Sequence, residues 1–256
     1  MIKEKAIELF QKKEFEKAID ELSKVLEHDE EDVEALNMMG LAYYYTNELE
    51  NAEKYFVKAL KLNPTQAEIY INLADVYYKQ KLYAEALDLL QIGVRQNPEN
   101  TVLKHYLARI YMEDAQLDLA IDELDAILEK EPDNYDAYYD LGQVYFKLGN
   151  YDSAIESFEN ILEYKEDNAW VYYYLAEAYL ANDETDKALS NFLKATVVND
   201  KFALPYKKAG IIFMARGEKE DAIEYFEDYI NLGIPEEEKI QVEGLINRLK
   251  EKNLAG

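Results

Sequence analysis

A period of 34 residues runs through the whole sequence and restricts the fold more than any other feature. Positions one period apart carry residues of one kind, and four such series share the same step. One series is alanine throughout: Ala18, Ala52, Ala86, Ala120, Ala154, Ala188 and Ala222. A second is aromatic: Tyr43, Tyr77, Tyr111, Tyr145, Tyr179 and Phe213. A third is small: Gly40, Ala74, Ala108, Gly142, Ala176 and Gly210. The fourth starts with Pro64, Pro98 and Pro132 and continues as Glu166 and Asp200. Four series of different chemistry with one step indicate repeated structural units.

Each unit of this period has the pattern of two amphipathic helices. In the fifth unit Tyr138, Leu141, Gly142 and Tyr145 follow the i, i+3, i+4, i+7 spacing of one helix face. After Gly149-Asn150, the same kind of spacing returns in Ala154, Ile155, Phe158, Ile161 and Leu162. The prolines stand at the junctions, where a proline can end one helix and start the next. The pattern predicts an all-α chain of antiparallel helix pairs.

The small residues predict where the helices of a pair touch. Two helices approach to about 8 Å only where the facing side chains are small. The glycine and alanine series on the first helix and the alanine series on the second should therefore meet. The aromatic series, together with a leucine and phenylalanine series, is expected to fill the space between successive pairs. That last series is Leu22, Phe56, Leu90, Leu124, Phe158, Phe192 and Phe226.

The residues of the fifth unit resemble the tetratricopeptide repeat (TPR). The resemblance rests on Tyr138, Leu141, Gly142 and Tyr145, followed by Ala154, Phe158 and Ile161, and on the proline series. It covers residues 1–235 as seven repeats, the first of which lacks its opening positions because Met1 already falls inside its first helix. The resemblance implies an α-α superhelix, a solenoid of antiparallel helix pairs with a period of 34 residues.

The remaining segment, residues 236–256, is predicted to be a capping helix and a short tail. Pro235 and the three glutamates after it suit a helix start. Val242, Leu245, Ile246 and Leu249 then form an apolar stripe. A stack of repeats exposes an apolar face at its end, so a terminal helix with a polar outer side is expected there.

Charge and composition exclude several classes of function. The chain has 28 Lys and Arg against 53 Asp and Glu, for a formal net charge of −25. Nucleic-acid and anionic-lipid binding rely on clustered basic charge, so neither partner is expected. The longest apolar stretch, from Ala209 to Ala215, is far shorter than the roughly 20 residues of a membrane-spanning helix. These features predict a cytoplasmic protein.

The chemistry of a catalytic or metal site is missing from the sequence. Cysteine is absent, and the only histidines, His28 and His105, are 77 residues apart. A zinc site would need both of them and carboxylates from distant repeats. Neither of the glycine-rich phosphate-loop patterns occurs. We therefore predict a non-enzymatic protein with no cofactor and no metal.

In proteins of the TPR family, the first helix of each pair lines a concave groove through residues outside the series. Carried onto this chain, the resemblance implies groove residues in six repeats. In the first half of the chain they are Asn37, Met38, Leu41, Tyr44, Tyr45, Asn72, Asp75, Tyr78, His105, Tyr106 and Arg109. In the second half they are Tyr139, Gln143, Phe146, Trp170, Tyr173, Tyr174, Glu177 and Lys207.

The types of these side chains suggest how a partner would be held. The rings would supply contact area, because aromatic side chains with polar ends are enriched at interfaces. Asn37, Asn72 and Gln143 would hydrogen-bond the partner backbone. Arg109, Lys147 and Lys207 would select its acidic positions. The alternative is that the rings pack on one another across adjacent first helices.

One known binding mode of the family is not supported by the residues. Chaperone-binding TPR proteins hold a C-terminal carboxylate with basic and asparagine residues over consecutive repeats. Asn72 matches one such position, but the earlier pair reads Asn37 and Leu41, and the later pair reads Val102 and Tyr106. A chaperone-tail adaptor is therefore disfavoured.

The sequence as a whole predicts a scaffold for protein–protein interaction. It would bind a peptide or helical segment of another protein in its groove, and its negative charge favours a partner with basic residues. Self-association of the solenoid into a structural or assembly role is the alternative. An enzyme of unexpected type is the less favoured one.

Overall fold

The computed structural model describes residues 2–251, and fifteen α-helices and no strand occur within that range. This confirms the predicted all-α class and the antiparallel helix pairs. The residues form two compact units, the first ending at Pro132 and the second beginning at Asp133. Met1, predicted to lie in the first helix, and residues 252–256, the end of the predicted capping segment, lie outside the described residues. The single seven-repeat array over residues 1–235 stays a prediction.

The first unit holds four helix pairs. Its first helices are α1 (Ile2–Gln11), α3 (Val33–Tyr45), α5 (Ala67–Lys79) and α7 (Thr101–Glu113). The helices that follow them are α2 (Phe15–His28), α4 (Leu49–Leu62), α6 (Tyr83–Gln96) and α8 (Leu117–Leu128). Each first helix packs on its own second helix, and each second helix packs on the next first helix. The unit is therefore a solenoid of hairpins.

The second unit holds three pairs and a final single helix. Its first helices are α9 (Tyr135–Lys147), α11 (Ala169–Ala181) and α13 (Ala203–Arg216). Their partners are α10 (Tyr151–Leu162), α12 (Thr185–Val198) and α14 (Lys219–Asn231). The single helix α15 (Glu236–Glu251) packs on α14 and buries Val242, Ile246 and Leu249. These three residues belong to the apolar stripe that the sequence predicted for a capping helix.

The turn between the two helices of a pair has one backbone conformation in all seven hairpins. A residue with φ between 58° and 78° recurs at the 34-residue step: Lys13, Asn47, Lys81, Ala115, Gly149, Asp183 and Gly217. The next amide donates to the carbonyl five residues earlier, as in the bond from Asn150 N to Tyr145 O at 2.9 Å. This is the Schellman arrangement that ends helices. Only Gly149 and Gly217 have no side chain, so five turns carry a residue that avoids this region.

Asparagine or aspartate side chains cap several first helices. Asp32, Asn100, Asn134 and Asn168 each accept a backbone N–H from the first turn of the helix that follows. Such a cap satisfies an amide that has no partner within the helix. The caps fix where the first helices begin, and thereby which of their side chains share one face.

The structure changes the predicted role of the leucine and phenylalanine series. Phe56, Phe158 and Phe226 lie against the glycine of their own hairpin, not only between pairs. A Cβ atom placed on Gly40 would lie 2.6 Å from the Phe56 ring, and one on Gly210 would lie 2.8 Å from Phe226. The small series thus makes room for a ring on the second helix. The alanine series is fully buried in all seven hairpins, as expected for helices in close contact.

Candidate binding faces on the first helices

In the first unit, Asn37 and Asn72 are engaged with each other. The Asn72 Nδ2 donates to Asn37 Oδ1 at 2.9 Å, and the Asn37 Nδ2 donates to Glu68 Oε1 at 3.2 Å. Asn37 is buried. These bonds link α3 to α5, so Asn37 positions its neighbours and its amide is not presented to a partner.

Four candidates on α3 pack against the unit itself. Met38, Leu41 and Tyr44 are half-buried and contact the buried core residues. Tyr45 is 56% exposed, yet its ring stacks on Phe15 at 4.8 Å. The Tyr44 ring carries the ammonium of Lys79, 4.8 Å from its centroid.

The other candidates of this unit surround a small cavity, with the exception of His105, which is half-buried on α7 and does not line it. Asp75 and Tyr78 reach the cavity from α5, and Tyr106 and Arg109 from α7. Ile110 and Glu113 complete a space of about 70 Å³. The sequence therefore placed four lining residues correctly on the first helices. It missed Glu113, although that residue follows Arg109 by one helical turn.

The electrostatics of this cavity centre on Asp75. Among residues 2–251 its carboxylate has no hydrogen bond and no ion pair within 4 Å. Burial raises the pKa of Asp75, and the charge of Arg109 partly opposes that shift. Burial also raises the pKa of Tyr106, assisted by the charge of Asp75. The cavity thus holds a carboxylate in an environment that disfavours its charge.

In the second unit, Trp170 is the centre of an aromatic cluster. Trp170, the only tryptophan of the chain, begins α11 and is 48% exposed. Its ring lies 4.2 Å from that of Phe202 and 6.0 Å from that of Tyr174, with which it is stacked. Tyr173 contacts it edge-on at 6.2 Å. The indole is therefore held by neighbouring rings while almost half of its surface faces solvent.

A cleft of about 420 Å³ lies beside this cluster. Its walls come from the start of α9, the end of α10 and the start of α11. They are Tyr135, Asp136, Tyr139, Ile161, Lys165, Asn168, Trp170, Val171 and Tyr174. Three predicted site residues, Tyr139, Trp170 and Tyr174, are thus brought together. The sequence missed Phe202 and Lys165, which lie between helices, where the helix period assigns no side-chain direction.

The tyrosines of this cluster are only partly available. Tyr174 stacks on the buried Phe158, and Tyr173 contacts the buried Phe192 at 5.7 Å. Burial and the charge of Glu177 raise the pKa of Tyr173 to about 12. Burial and the neighbouring Tyr174 raise the pKa of Tyr139 above its usual range. Ring-on-ring packing and an open indole surface therefore occur in the same cluster.

The remaining predicted residues lie outside the cleft. Gln143 is half-buried, and Phe146 contacts Tyr151 at 5.5 Å. The carboxylate of Glu177 lies 2.8 Å from the Lys208 ammonium. Lys207 pairs with Glu238 of α15, and its ammonium lies 5.6 Å from the centre of the Tyr229 ring. Lys207 is thus already occupied within the chain.

Two further searches cover residues 2–251. No group of three or more histidine, aspartate or glutamate side chains in this range is arranged to hold a metal ion. None of the helices in the same range has both the length and the apolar character required to cross a bilayer.

Hairpins of nearly equal length, with aromatic side chains on the first helices, define a helical-repeat scaffold. A family model described as tetratricopeptide repeat matches residues 3–56, 37–101, 107–169 and 139–204. The chain belongs to the tetratricopeptide repeat family, whose members are scaffolds that mediate protein–protein interactions.

Solved structures of similar architecture support the assignment. The crystal structure of YrrB, described as a TPR protein with an unusual peptide-binding site, is 26% identical with a TM-score of 0.59, covering 72% of this chain and 95% of that one. The MamA protein is 25% identical with a TM-score of 0.60, over 67% of this chain and 93% of that one. The C-terminal part of a TPR protein from Cytophaga hutchinsonii is 18% identical with a TM-score of 0.78, over 93% of this chain and 98% of that one, and shows the fold alone.

Among curated proteins, a short match is found in a plant relative. The DnaJ protein P58IPK homolog of Arabidopsis thaliana is 35% identical over 72 residues, which are 27% of this chain. The match spans only 15% of the length of that relative.

Proposed function

We propose that this protein is a non-enzymatic cytoplasmic scaffold that binds a peptide or helical segment of another protein on the first-helix faces of its units. Of the predicted groove residues, the proposal retains those with surface to offer. In the first unit these are Tyr78, Tyr106, Asp75 and Arg109. In the second unit they are Trp170 and the rings beside it.

The exposed indole of Trp170 carries the proposal. A tryptophan that is 48% exposed beside a cleft of about 420 Å³ offers apolar surface that a partner could cover. The neighbouring rings hold the indole in place, so little side-chain freedom remains to be lost on binding. Tryptophan is also among the residues that most often dominate binding energy at interfaces.

The charge of the chain sets the expected chemistry of the partner. A net charge of −25 favours a segment with basic residues and attracts it over a distance of several ångströms. Added salt should therefore slow association, because the Debye length falls from about 10 Å at 0.1 M to about 3 Å at 1 M.

The experiment uses Trp170 as its own reporter. A partner is captured from native lysate, identified and purified, and then titrated into the full chain while tryptophan emission is recorded with a tryptophan-free segment of that partner. Because Trp170 is the only tryptophan of the chain, burial of its indole should shift the emission to shorter wavelength. Trp170→Ser should weaken binding by tenfold or more, about 1.4 kcal/mol or above.

Val197→Ser is the matched control. Val197 is an apolar residue of the same unit, 84% exposed on α12, and does not line the cleft. Its replacement should leave affinity unchanged. A partner that saturates the chain with no change in emission, and binds Trp170→Ser normally, would show that the cleft is not the site.

Self-association is the second proposal, and Ile240 supports it. This isoleucine of α15 is 62% exposed, on the helix that covers the end of the second unit. If copies associate through α15, light scattering should show dimers or larger species that Ile240→Ser reduces. A monomer at all concentrations would end this alternative.

A further inference from the structure

The cavity between α5 and α7 has a lining that selects ligand charge. It holds two carboxylates, Asp75 and Glu113, one guanidinium, Arg109, and the rings of Tyr78 and Tyr106. One negative charge is therefore in excess at the lining. A water needs roughly 10–15 Å³ of such space. The 70 Å³ of this cavity therefore admits a group of a few atoms, such as an ammonium with its last methylenes.

Asp75 is the residue that calls for a ligand. Its carboxylate is half-buried, and within residues 2–251 no cation or hydrogen-bond donor contacts it. A buried charge without a partner costs free energy. An ammonium entering the cavity would supply the opposite charge and up to three N–H donors.

The rings of the cavity favour a cation as well. Aromatic faces attract ammonium groups when the nitrogen lies within about 6 Å of the ring centre. The same surface already shows this contact, because the Lys79 ammonium lies 4.8 Å from the centre of the Tyr44 ring. Tyr44 in turn lies near enough to Asp75 for that carboxylate to raise the pKa of its hydroxyl.

We propose that this cavity is a pocket for a lysine side chain of the partner, with Asp75 as the anion and Tyr78 and Tyr106 as its aromatic walls. The pocket rests on the proposed function, since it names which basic residue the first unit accepts. Lysine fits better than arginine because an ammonium is compact, whereas a guanidinium is a wide planar fork that repels Arg109 at closer range. Arg109 sets the selectivity: it opposes the ligand and so weakens a second cation.

The test titrates a single lysine into the full chain. The probe is N-acetyl-lysine methylamide at pH 7 and low salt, followed by nuclear magnetic resonance of the backbone amides of α5 and α7. N-acetyl-norleucine methylamide, which lacks the ammonium, and N-acetyl-arginine methylamide are the comparison probes. Lysine should give saturable shifts in both helices, arginine weaker ones and norleucine none.

Three variants then decide the assignment. Asp75→Asn should weaken lysine binding by about threefold to tenfold. Arg109→Gln should strengthen it, because a repelling charge is removed. Asp88→Asn removes one charge from the exposed face of α6 in the same unit and should have little effect. The proposal fails if Asp75→Asn behaves like Asp88→Asn, if Arg109→Gln weakens binding, or if arginine binds more tightly than lysine.

The outcome is separable from that of the proposed function. A lysine pocket that binds the probe, with a partner that never covers Trp170, leaves the pocket intact and ends the scaffold proposal for the second unit. A partner that shifts the Trp170 emission, with no lysine binding between α5 and α7, does the reverse. Trp170→Ser should not change the affinity for the lysine probe.

Discussion

The ring of Phe158 occupies the space that a side chain at Gly142 would need. A Cβ atom on Gly142 would lie 2.6 Å from the nearest ring carbons, closer than real Cβ contacts occur. Phe158 is fully buried at the centre of the second unit, so it cannot swing into solvent. The glycine of the first helix and the phenylalanine of the second therefore form one packing unit.

Gly142→Ala should destabilise the second unit. The added methyl must displace a buried ring, and overpacking of this kind costs about 1–3 kcal/mol. Gly244→Ala is the control, because no atom lies within 4 Å of the position of its Cβ in α15. There alanine should stabilise the helix by up to about 1 kcal/mol. Thermal unfolding of both variants would show opposite signs; a shift of the same sign in both would contradict the packing account.

Ala115→Gly should stabilise the chain. Ala115 ends α7 with φ of 58°, a conformation that costs about 1–2 kcal/mol for a residue with a side chain. Glycine removes that strain but loses more chain entropy on folding, so a net gain of about 1 kcal/mol is expected. The reverse change, Gly149→Ala, has φ of 75° and no atom within 4 Å, so only backbone strain opposes it. Urea unfolding should show a loss of similar size there.

Asp75→Asn should raise the stability of the first unit at pH 7. Folding raises the pKa of Asp75 through burial, so between its unfolded and folded pKa the folded chain binds more protons. Ionisation of this carboxylate therefore removes stability as the pH rises. Asparagine resembles the protonated form and escapes that loss. The advantage over the natural chain should shrink as the pH falls below the folded pKa, which melting temperatures from pH 7 to pH 3.5 would test, with Asp88→Asn as the reference.

Glu238→Gln should loosen the final helix. Glu238 of α15 pairs with Lys207 and accepts the Tyr229 hydroxyl at 2.7 Å. The pairing with Lys207 and the Tyr229 bond lower the pKa of Glu238. This contribution is complete above the unfolded pKa of a glutamate and is lost as the pH falls through the lowered folded value. Amide exchange at pH 7 should be faster in α15 of this variant than in Glu237→Gln, its exposed neighbour, and equal rates would argue against the contact.

The 34-residue period was sufficient to predict the helix pairs but not the details that join them. The alanine series is buried as expected, because its positions follow from spacing alone. The left-handed turn at Lys13 or Lys81 could not be predicted, since lysine has no preference for that conformation. Packing of the two helices imposes it.

The candidate site was predicted by position and not by partner. The helix period indicates that Asp75, Tyr106 and Trp170 lie on first helices. It does not show that Lys207 is paired by Glu238, because that contact joins side chains of two different helices. For the same reason, the ring of Phe202 against Trp170 had no signal in the sequence.

The recurring turn has a consequence for how such a chain can change in length. Five different residue types hold the same bend, so the bend depends on the distance between neighbouring corners and hardly on which amino acid stands there. Loss or duplication of one complete hairpin inside a unit would preserve every bend, whereas deletion of a single residue would displace one. The chain can therefore be shortened or extended in whole modules, and engineered versions should respect that step.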